Sequence, residues 1–398
     1  MASAKWIDNL VVRASYGLQG NIDKNTSPFL LGNYRIENIL PGGSEDMIDV
    51  SGAPNKKLRW EKTHSVNAGF DFAVLNQAIN LSVDYYYRKG VDLIGTQMLP
   101  LETGFEMLTV NWASMRNQGV EVALSTRNVH TKNFMWTTNF NFAYNNNKVL
   151  KEALREDALE PGREGYPAGA LFALKTAGLD EEGYPMFQDK DGKAVSAMEF
   201  FKLQEWGFGA TDLTARERRE LYTYVGTADC PYTGGFNNTF TYKAFELGVN
   251  FSFDFGGKVR SQPTYSIVDF DKGRNTNRDI LNRWTPENTE TIFPVLLSQN
   301  ERLDEYMWYS NQNEIYRNLD IWIRDLNYVR LQNIRLGYTL PTNFSRTLGM
   351  TSATVAIEGR NLLVFGSSYK NYLDPETMSN AYATPAPKSV TLSLNLIF

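Results

Sequence analysis

Val390-Thr391-Leu392-Ser393-Leu394-Asn395-Leu396-Ile397-Phe398 is the stretch that decides how the rest of the chain is read. Val390, Leu392, Leu394, Leu396 and Phe398 fall on one face of an extended chain, and Thr391, Ser393 and Asn395 fall on the other, because successive strand side chains point to opposite sides. The same period of two recurs upstream. Phe245, Leu247, Val249, Phe251, Phe253 and Phe255 oppose Glu246, Gly248, Asn250, Ser252 and Asp254. Phe134, Trp136, Thr138, Phe140, Phe142 and Tyr144 oppose Met135, Thr137, Asn139, Asn141, Ala143 and Asn145. Ile79, Leu81, Val83, Tyr85 and Tyr87 oppose Asn80, Ser82, Asp84, Tyr86 and Arg88, and Val66 to Val74 alternates against Asn67, Gly69 and Asp71.

Further strands are expected at 10–19, 117–127, 234–243, 325–339 and 351–363, which brings the total to about ten. The phase changes between Leu331 and Ile334, as a β-bulge would make it do. Short links such as Asn76-Gln77 and Lys243-Ala244 alternate with long ones at about 20–57, 89–116, 146–233, 256–324 and 364–387. Tight turns at one end and long loops at the other are the pattern of a transmembrane barrel, whose periplasmic turns are short and whose external loops are long. The one helical segment expected is the charged Thr214-Ala215-Arg216-Glu217-Arg218-Arg219-Glu220.

Composition narrows the class. The chain has 398 residues, 40 Lys+Arg against 45 Asp+Glu, and a net charge of -5, which argues against a nucleic-acid partner. Aromatics reach 13% while mean hydropathy is only -0.39. One cysteine, Cys230, leaves no disulfide framework, and two histidines, His64 and His130, leave little scope for a metal cluster. No apolar run is long enough for a membrane helix, and the opening Met1-Ala2-Ser3-Ala4-Lys5 begins no signal-peptide pattern. A soluble β-sandwich or soluble barrel also alternates. Against it stand aromatic rather than aliphatic strand ends, and links far longer than ordinary hairpin loops.

Several blocks resemble, in order, the C-terminal half of the barrel of SusC/RagA-type TonB-dependent outer-membrane transporters of the Bacteroidetes. Arg13-Ala14-Ser15-Tyr16-Gly17 with Gly20-Asn21 resembles that family's RASYGxxGN strand, and Leu58-Arg59-Trp60-Glu61-Lys62-Thr63 with Asn67, Gly69 and Asp71 its LxWEKT…NxGxD strand. Asp84-Tyr85-Tyr86, Asn117-Gln118-Gly119-Val120-Glu121 and Gly234-Gly235-Phe236-Asn237-Asn238-Thr239 follow. Arg283-Trp284-Thr285-Pro286-Glu287-Asn288 and Tyr328-Val329-Arg330-Leu331 with Gly337-Tyr338 and Leu340-Pro341 come next, then Gly359-Arg360-Asn361-Leu362-Leu363 and Asp374-Pro375-Glu376.

The resemblance implies an all-β fold, a transmembrane antiparallel β-barrel in which residues 1–398 supply about ten C-terminal strands of a 22-stranded whole. A family member also carries a signal peptide, a small β-domain, a TonB box and a plug, which the reading expects to be absent here. The implied activity is energised import of oligosaccharides or peptides across the outer membrane. Implied partners are a SusD-like surface lipoprotein acting as a lid, TonB–ExbB–ExbD acting through a plug, and outer-membrane lipid. No cofactor and no enzyme activity are expected. A passive pore or a barrel fragment without independent activity is the alternative; a barrel enzyme or a secreted glycan-binding protein is weaker.

Candidate site residues fall into two groups. Val390, Leu392, Leu394, Leu396 and Phe398 resemble the terminal signal read by the machinery that inserts outer-membrane barrels. Trp206, Trp284, Trp308 and Trp322 are candidates for contact with substrate or lid, with packing between loops as the competing and larger role. The polar face, including Asn80, Ser82, Asp84, Asn139, Asn141, Glu246, Asn250 and Asp254, is expected to line a lumen. Asp189-Lys190-Asp191-Gly192 starts like a calcium loop but has Phe200 where the bidentate Glu belongs, so a turn is expected. Asp374-Pro375-Glu376 is expected to be a loop motif rather than a catalytic carboxylate pair. His64 is placed on the outward face as an interfacial aromatic, and Cys230 is given no role.

Overall fold

The computed structural model describes residues 6–24, 26–40, 43–50, 52–105, 107–204, 210–261, 278–296, 317–366, 374–378 and 383–398. All ten expected strands form: β1 Ile7–Asn21, β2 Glu61–Val74, β3 Ile79–Met98, β4 Met107–His130, β5 Phe134–Lys151, β6 Tyr232–Tyr242, β7 Phe245–Arg260, β8 Ile323–Thr339, β9 Ser352–Phe365 and β10 Ser389–Ile397. They make one sheet in which every strand is hydrogen-bonded to its neighbours in this sequence order, and the pairings described are antiparallel. The expected bulge is present. The register of β8 slips between Leu331 and Asn333 against β9, and the same two residues flank the slip against β7.

The chain forms two compact units. One is Met1–Val122, Ala143–Glu156 and Gly162–Ala168; the other is Ala123–Phe142, Asp157–Pro161 and Gly169–Phe398.

In both units, register turns the one-dimensional alternation into rows across the sheet. Leu392, Ile357, Leu336, Leu247 and Phe240 are successive cross-strand partners from β10 to β6, and so are Thr391, Glu358, Arg335, Gly248 and Thr239 one residue over. In the first unit Val12, Phe70 and Val83 form an apolar row, and Arg13, Gly69 and Asp84 the polar row beside it. The apolar rows carry large hydrophobic side chains into the open: Val12 and Leu392 are each 76% exposed. Such a face is stable only against lipid. A polar residue on this face, Asn238, accepts from Trp136 Nε1 at 3.0 Å and from Thr138 Oγ1 at 2.7 Å, which satisfies its carbonyl without water.

The turns that close β2 to β3 and β6 to β7 are tight and left-handed. Leu75, Asn76, Gln77 and Lys243 all have positive φ, between 53° and 58°. Long links carry structure that the alternation did not announce. Gly32–Leu40 pairs with Gly43–Val50 between β1 and β2. Between β5 and β6, Ala170–Leu174 pairs with Tyr222–Thr227, and Pro185–Gln188 lies between Thr176–Leu179 and Ala194–Val195. The charged helix forms at Ala215–Glu220, with Thr214 as N-cap of a complete capping box to Glu217.

Candidate transport lumen and outer loops

The polar face of the first unit is organised around glycines. Arg13 reaches across Gly69 to Asp84, its Nη2 2.9 Å from the carboxylate, and also pairs with Asp71; Ser82 Oγ donates to Asp71 at 2.7 Å. A Cβ on Gly69 would lie 2.1 Å from Asp84 Oδ1, so the three-strand ion pair needs glycine in the middle strand. Gly119 plays the same part under Tyr86: its Cβ would come within 2.6 Å of the Tyr86 hydroxyl, which donates to Asn145 Oδ1 at 2.9 Å. The Gly and Asp positions of the quoted strand motifs are therefore places where polar side chains cross the wall.

Above β2, the Leu58–Thr63 segment ties a loop to the projecting ends of β3 and β4. Asn111 accepts from the Arg59 amide at 2.8 Å and donates to the carbonyls of Arg59 and Asp92 at 2.7 Å each. Glu61 accepts from the Ile94 amide at 2.9 Å and from Asn21 at 2.8 Å. Arg59 holds the Asp92 side chain at 2.5 Å. His64 stands in the outward row, its Nδ1 2.9 Å from the Tyr16 hydroxyl, as expected of an interfacial aromatic.

In the second unit the densest polar cluster joins the wall to the last long link. Arg330, 2% exposed in its side chain, pairs with Asp374 and donates Nε to Glu376 at 2.9 Å. Tyr328 donates to Asp254 and, at 3.2 Å, to Glu376. The Asp-Pro-Glu motif is thus a turn, with the Thr377 amide bonded to the Asp374 carbonyl at 2.9 Å, that is locked to β7 and β8 through its carboxylates. Burial pushes the Asp374 carboxyl up, but the Arg330 guanidinium and the backbone amides of Glu376 and Ala386 outweigh it and hold the group below the usual carboxylate range. In the sequence Tyr328 and Arg330 stand out only as motif letters. The signal that could have found them is the phase change at Leu331, since a bulge re-aims the residues beside it.

The links β5–β6 and β7–β8 build a small domain with its own core. Leu174, Phe187, Val195, Phe201, Leu319 and Trp322 are among its buried residues, and Phe187 stacks on Phe200 with ring centroids 4.8 Å apart. Trp322 is 1% exposed and belongs to this core, so it serves packing and offers no surface to a substrate or lid here. Trp284 is half-buried with its ring over Gly183, where a Cβ would meet it at 2.5 Å. Trp206 and Trp308 lie outside the described residues. Asp189 is spent on the backbone, accepting from the amides of Asp191 at 3.0 Å and Lys193 at 2.7 Å, which is the expected turn. Burial pushes the Cys230 thiol up, and a Cβ on Gly257 would lie 2.5 Å from its sulfur, so it is a packing residue. Among the described residues no group of acidic, His or Cys side chains has the geometry to hold a metal.

An alternating sheet with an apolar exposed face, a polar opposite face and loops folded at one end is that of an outer-membrane barrel. Residues 2–270 match the family described as TonB dependent receptor-like, beta-barrel, and the chain belongs to that family and to the outer membrane. TonB-dependent receptor P3 of Formosa agariphila is 27% identical over 97% of this chain and 39% of its own length. TonB-dependent receptor SusC of Bacteroides thetaiotaomicron is 26% identical over 86% of this chain and 32% of its own length. The fold superposes on a structure of the RagAB peptide importer in its 'open-open' state with a TM-score of 0.75, at 22% identity, over the whole of this chain and 41% of that one. The chain thus spans about a third to two fifths of the length of the relatives it matches. Those relatives carry the names of receptors and transporters, not of enzymes.

Proposed function

We propose that the chain forms the C-terminal strands of an energised importer that carries oligosaccharides or peptides across the outer membrane. A SusD-like lipoprotein would cover its outer loops, and TonB–ExbB–ExbD would act on a plug housed elsewhere in the protein. The observation that carries the reading is the wall itself. Its lumen side holds fixed ion pairs and hydroxyls suited to a hydrated plug or solute, including Arg13–Asp84 and Arg335–Glu246, the latter at 2.9 Å. The folded outer-loop domain is the surface a lid would meet. The structure of similar fold is named as a peptide importer, which keeps peptides in view, and oligosaccharides rest on the resemblance read in the sequence. The terminal row Val390, Leu392, Leu394, Leu396 and Phe398, with Phe398 81% exposed, supports the assembly-signal role.

The test is growth and uptake in the source bacterium on single nutrients, with the gene deleted, restored, or restored in a strain lacking TonB. Loss of uptake of one nutrient in both the deletion and the TonB-less strain is expected. Uptake that persists without TonB would replace import by passive diffusion through a pore.

A further inference from the structure

The outward rows of β1, β2 and β3 change character at one level. Apolar rows run from Leu10, Phe72 and Leu81 up to Tyr16, Val66 and Tyr87. The next row is Leu18, His64 and Lys89, and the one beyond it holds Lys62 between Gly20 and Val91. From Val74 to His64 the strand climbs about 34 Å, which a tilt of about 40° reduces to about 26 Å across the membrane. The apolar band of a membrane barrel is about 25 Å tall and ends in an aromatic girdle. The row of Tyr16 and Tyr87 is that girdle at the end away from the Leu75–Gln77 turn. His64, Lys89 and Lys62 therefore stand at the depth of the lipid head groups.

These side chains form one cluster of positive character. His64 and Lys89 are direct cross-strand partners, with Cβ atoms about 5 Å apart, and Lys62 is the diagonal neighbour of Lys89 at about 7–8 Å. Tyr16 holds Nδ1 of His64 at 2.9 Å, so Nε2 is the ring nitrogen left to the head-group layer. A neutral ring that accepts the phenol proton at Nδ1 carries its own proton at Nε2. Asp92, where the alternation of β3 breaks, is shared by Arg59 at 2.5 Å and Lys62 at 3.4 Å. One carboxylate thus meets two cations, and Lys89 adds a third. Glu61, Asp71 and Asp84 of the same strands lie on the lumen rows. We propose that Lys89, Lys62 and His64 bind the phosphate of a phosphorylated lipid in the outer leaflet. Its acyl chains lie on the apolar rows below, and the lysine stems run along the girdle so that their ammonium groups reach the phosphate. The phosphate accepts charge-assisted hydrogen bonds from both ammonium groups and one from His64 Nε2. A soluble phosphate would meet the same cations but leave the adjoining apolar rows unused, and that continuity commits the site to a lipid.

The test uses the full-length protein purified in detergent and native mass spectrometry, with lipid A, dephosphorylated lipid A and inorganic phosphate as probes. Lipid A is expected to bind at least about tenfold more tightly than its dephosphorylated form. Lys89→Gln and Lys62→Gln are each expected to weaken lipid A about fivefold, and the two together about twentyfold, with Tm unchanged. Arg88→Gln is the internal control. Arg88 is the residue next to Lys89, but it lies on the lumen row opposite Ser65, and its loss is expected to leave lipid A affinity unchanged. Equal affinity for the dephosphorylated lipid overturns the proposal, as does unchanged affinity when both lysines are replaced. An equal loss in Arg88→Gln would trace the effect to net charge rather than to this face, and overturns it too. Inorganic phosphate binding as tightly as lipid A would assign the cluster to a soluble anion and overturn the lipid site.

Discussion

The wall and the outer-loop domain place their apolar residues in opposite ways. On the wall, Val12, Leu392 and their row neighbours are exposed, and the polar side chains face the interior, where Arg13, Arg330 and Arg335 each have acidic partners. In the loop domain Phe187, Leu319 and Trp322 are buried and Lys190, Lys202 and Arg216 stand outside. A wall in lipid gains nothing by hiding apolar surface and must instead satisfy its backbone through the ladder. A loop domain in water has few ladder bonds and depends on a core. One chain therefore folds by two different balances, and a substitution should act on only one of them.

The largest expected effect tests that separation directly. Phe187→Ala opens a cavity among Phe200, Phe201 and their neighbours and should cost the loop domain about 3–5 kcal/mol. Hydrogen exchange should then rise across 170–228, while the protein still inserts and its strands stay protected. Failure to insert would show that loop and wall fold as one unit. Next in size is a charge on the lipid side. Phe251→Arg, on the outer face and seven residues into β7, should destabilise the wall by about 2–4 kcal/mol in urea titrations in lipid vesicles. Thr239→Arg, on the lumen row, should change stability by no more than about 0.5 kcal/mol. Equal costs for the two would mean that the faces are wrongly assigned.

The two regions are also unequally legible in the sequence. Each wall strand is readable because one face meets lipid over its whole crossing length, so the period of two is uninterrupted from Phe245 to Phe255 and from Val390 to Leu396. The outer parts of β3 and β4 escape that reading. Gly90-Val91-Asp92-Leu93-Ile94-Gly95 does not alternate, Asp92 has φ of 58°, and these ends are held by Arg59 and Glu61 from elsewhere in the chain and by Asn111 of β4 reaching to β3. The loop-domain core is hidden for a different reason. Leu174, Phe187, Phe200 and Trp322 are far apart in sequence and follow no single period, so nothing local marks them as neighbours. Residue type alone singles out the loop tryptophans, and burial then assigns Trp322 to packing. Asp374-Pro375-Glu376 is visible as a motif, but its partner Arg330 emerges only from the bulge in β8 and the contacts it directs.

A smaller effect sharpens the account of the wall's glycines. Gly69→Ala puts a methyl group against Asp84 and should cost about 1–3 kcal/mol, the usual range for overpacking. Asp84→Gly in the same chain should recover the part of that cost due to the Asp84 carboxylate, leaving Arg13 with Asp71, while the contact with the Val83 carbonyl at 2.8 Å remains. A double-mutant cycle between the two positions should therefore show coupling, and strict additivity would mean that the glycine is there for some reason other than the crossing ion pair.

The smallest effect compares the two regions through acid. Asp374 in the last link and Glu217 in the loop-domain helix both have depressed pKa values. For Glu217 the cause is first the Thr214 backbone amide and then its hydroxyl; for Asp374 it is Arg330 and two amides set against burial. A carboxyl whose folded pKa lies below its unfolded value, about 4, adds stability that is complete above that value and is lost as pH falls through the folded pKa. Both the turn at 374–378 and the helix at 215–220 should therefore keep full protection at neutral pH and lose it only below the ordinary carboxylate range. They should differ in salt. The exposed capping box should weaken as ionic strength rises, through its Lys202 contact, whereas the turn, whose Arg330 partner is buried, should hardly respond. Protection factors for both segments, read between neutral and acid pH at low and high salt, measure this. Loss of the turn at neutral pH in high salt would show that the Arg330 clamp is open to solvent, and the wall's polar side would then be wetter than its geometry implies.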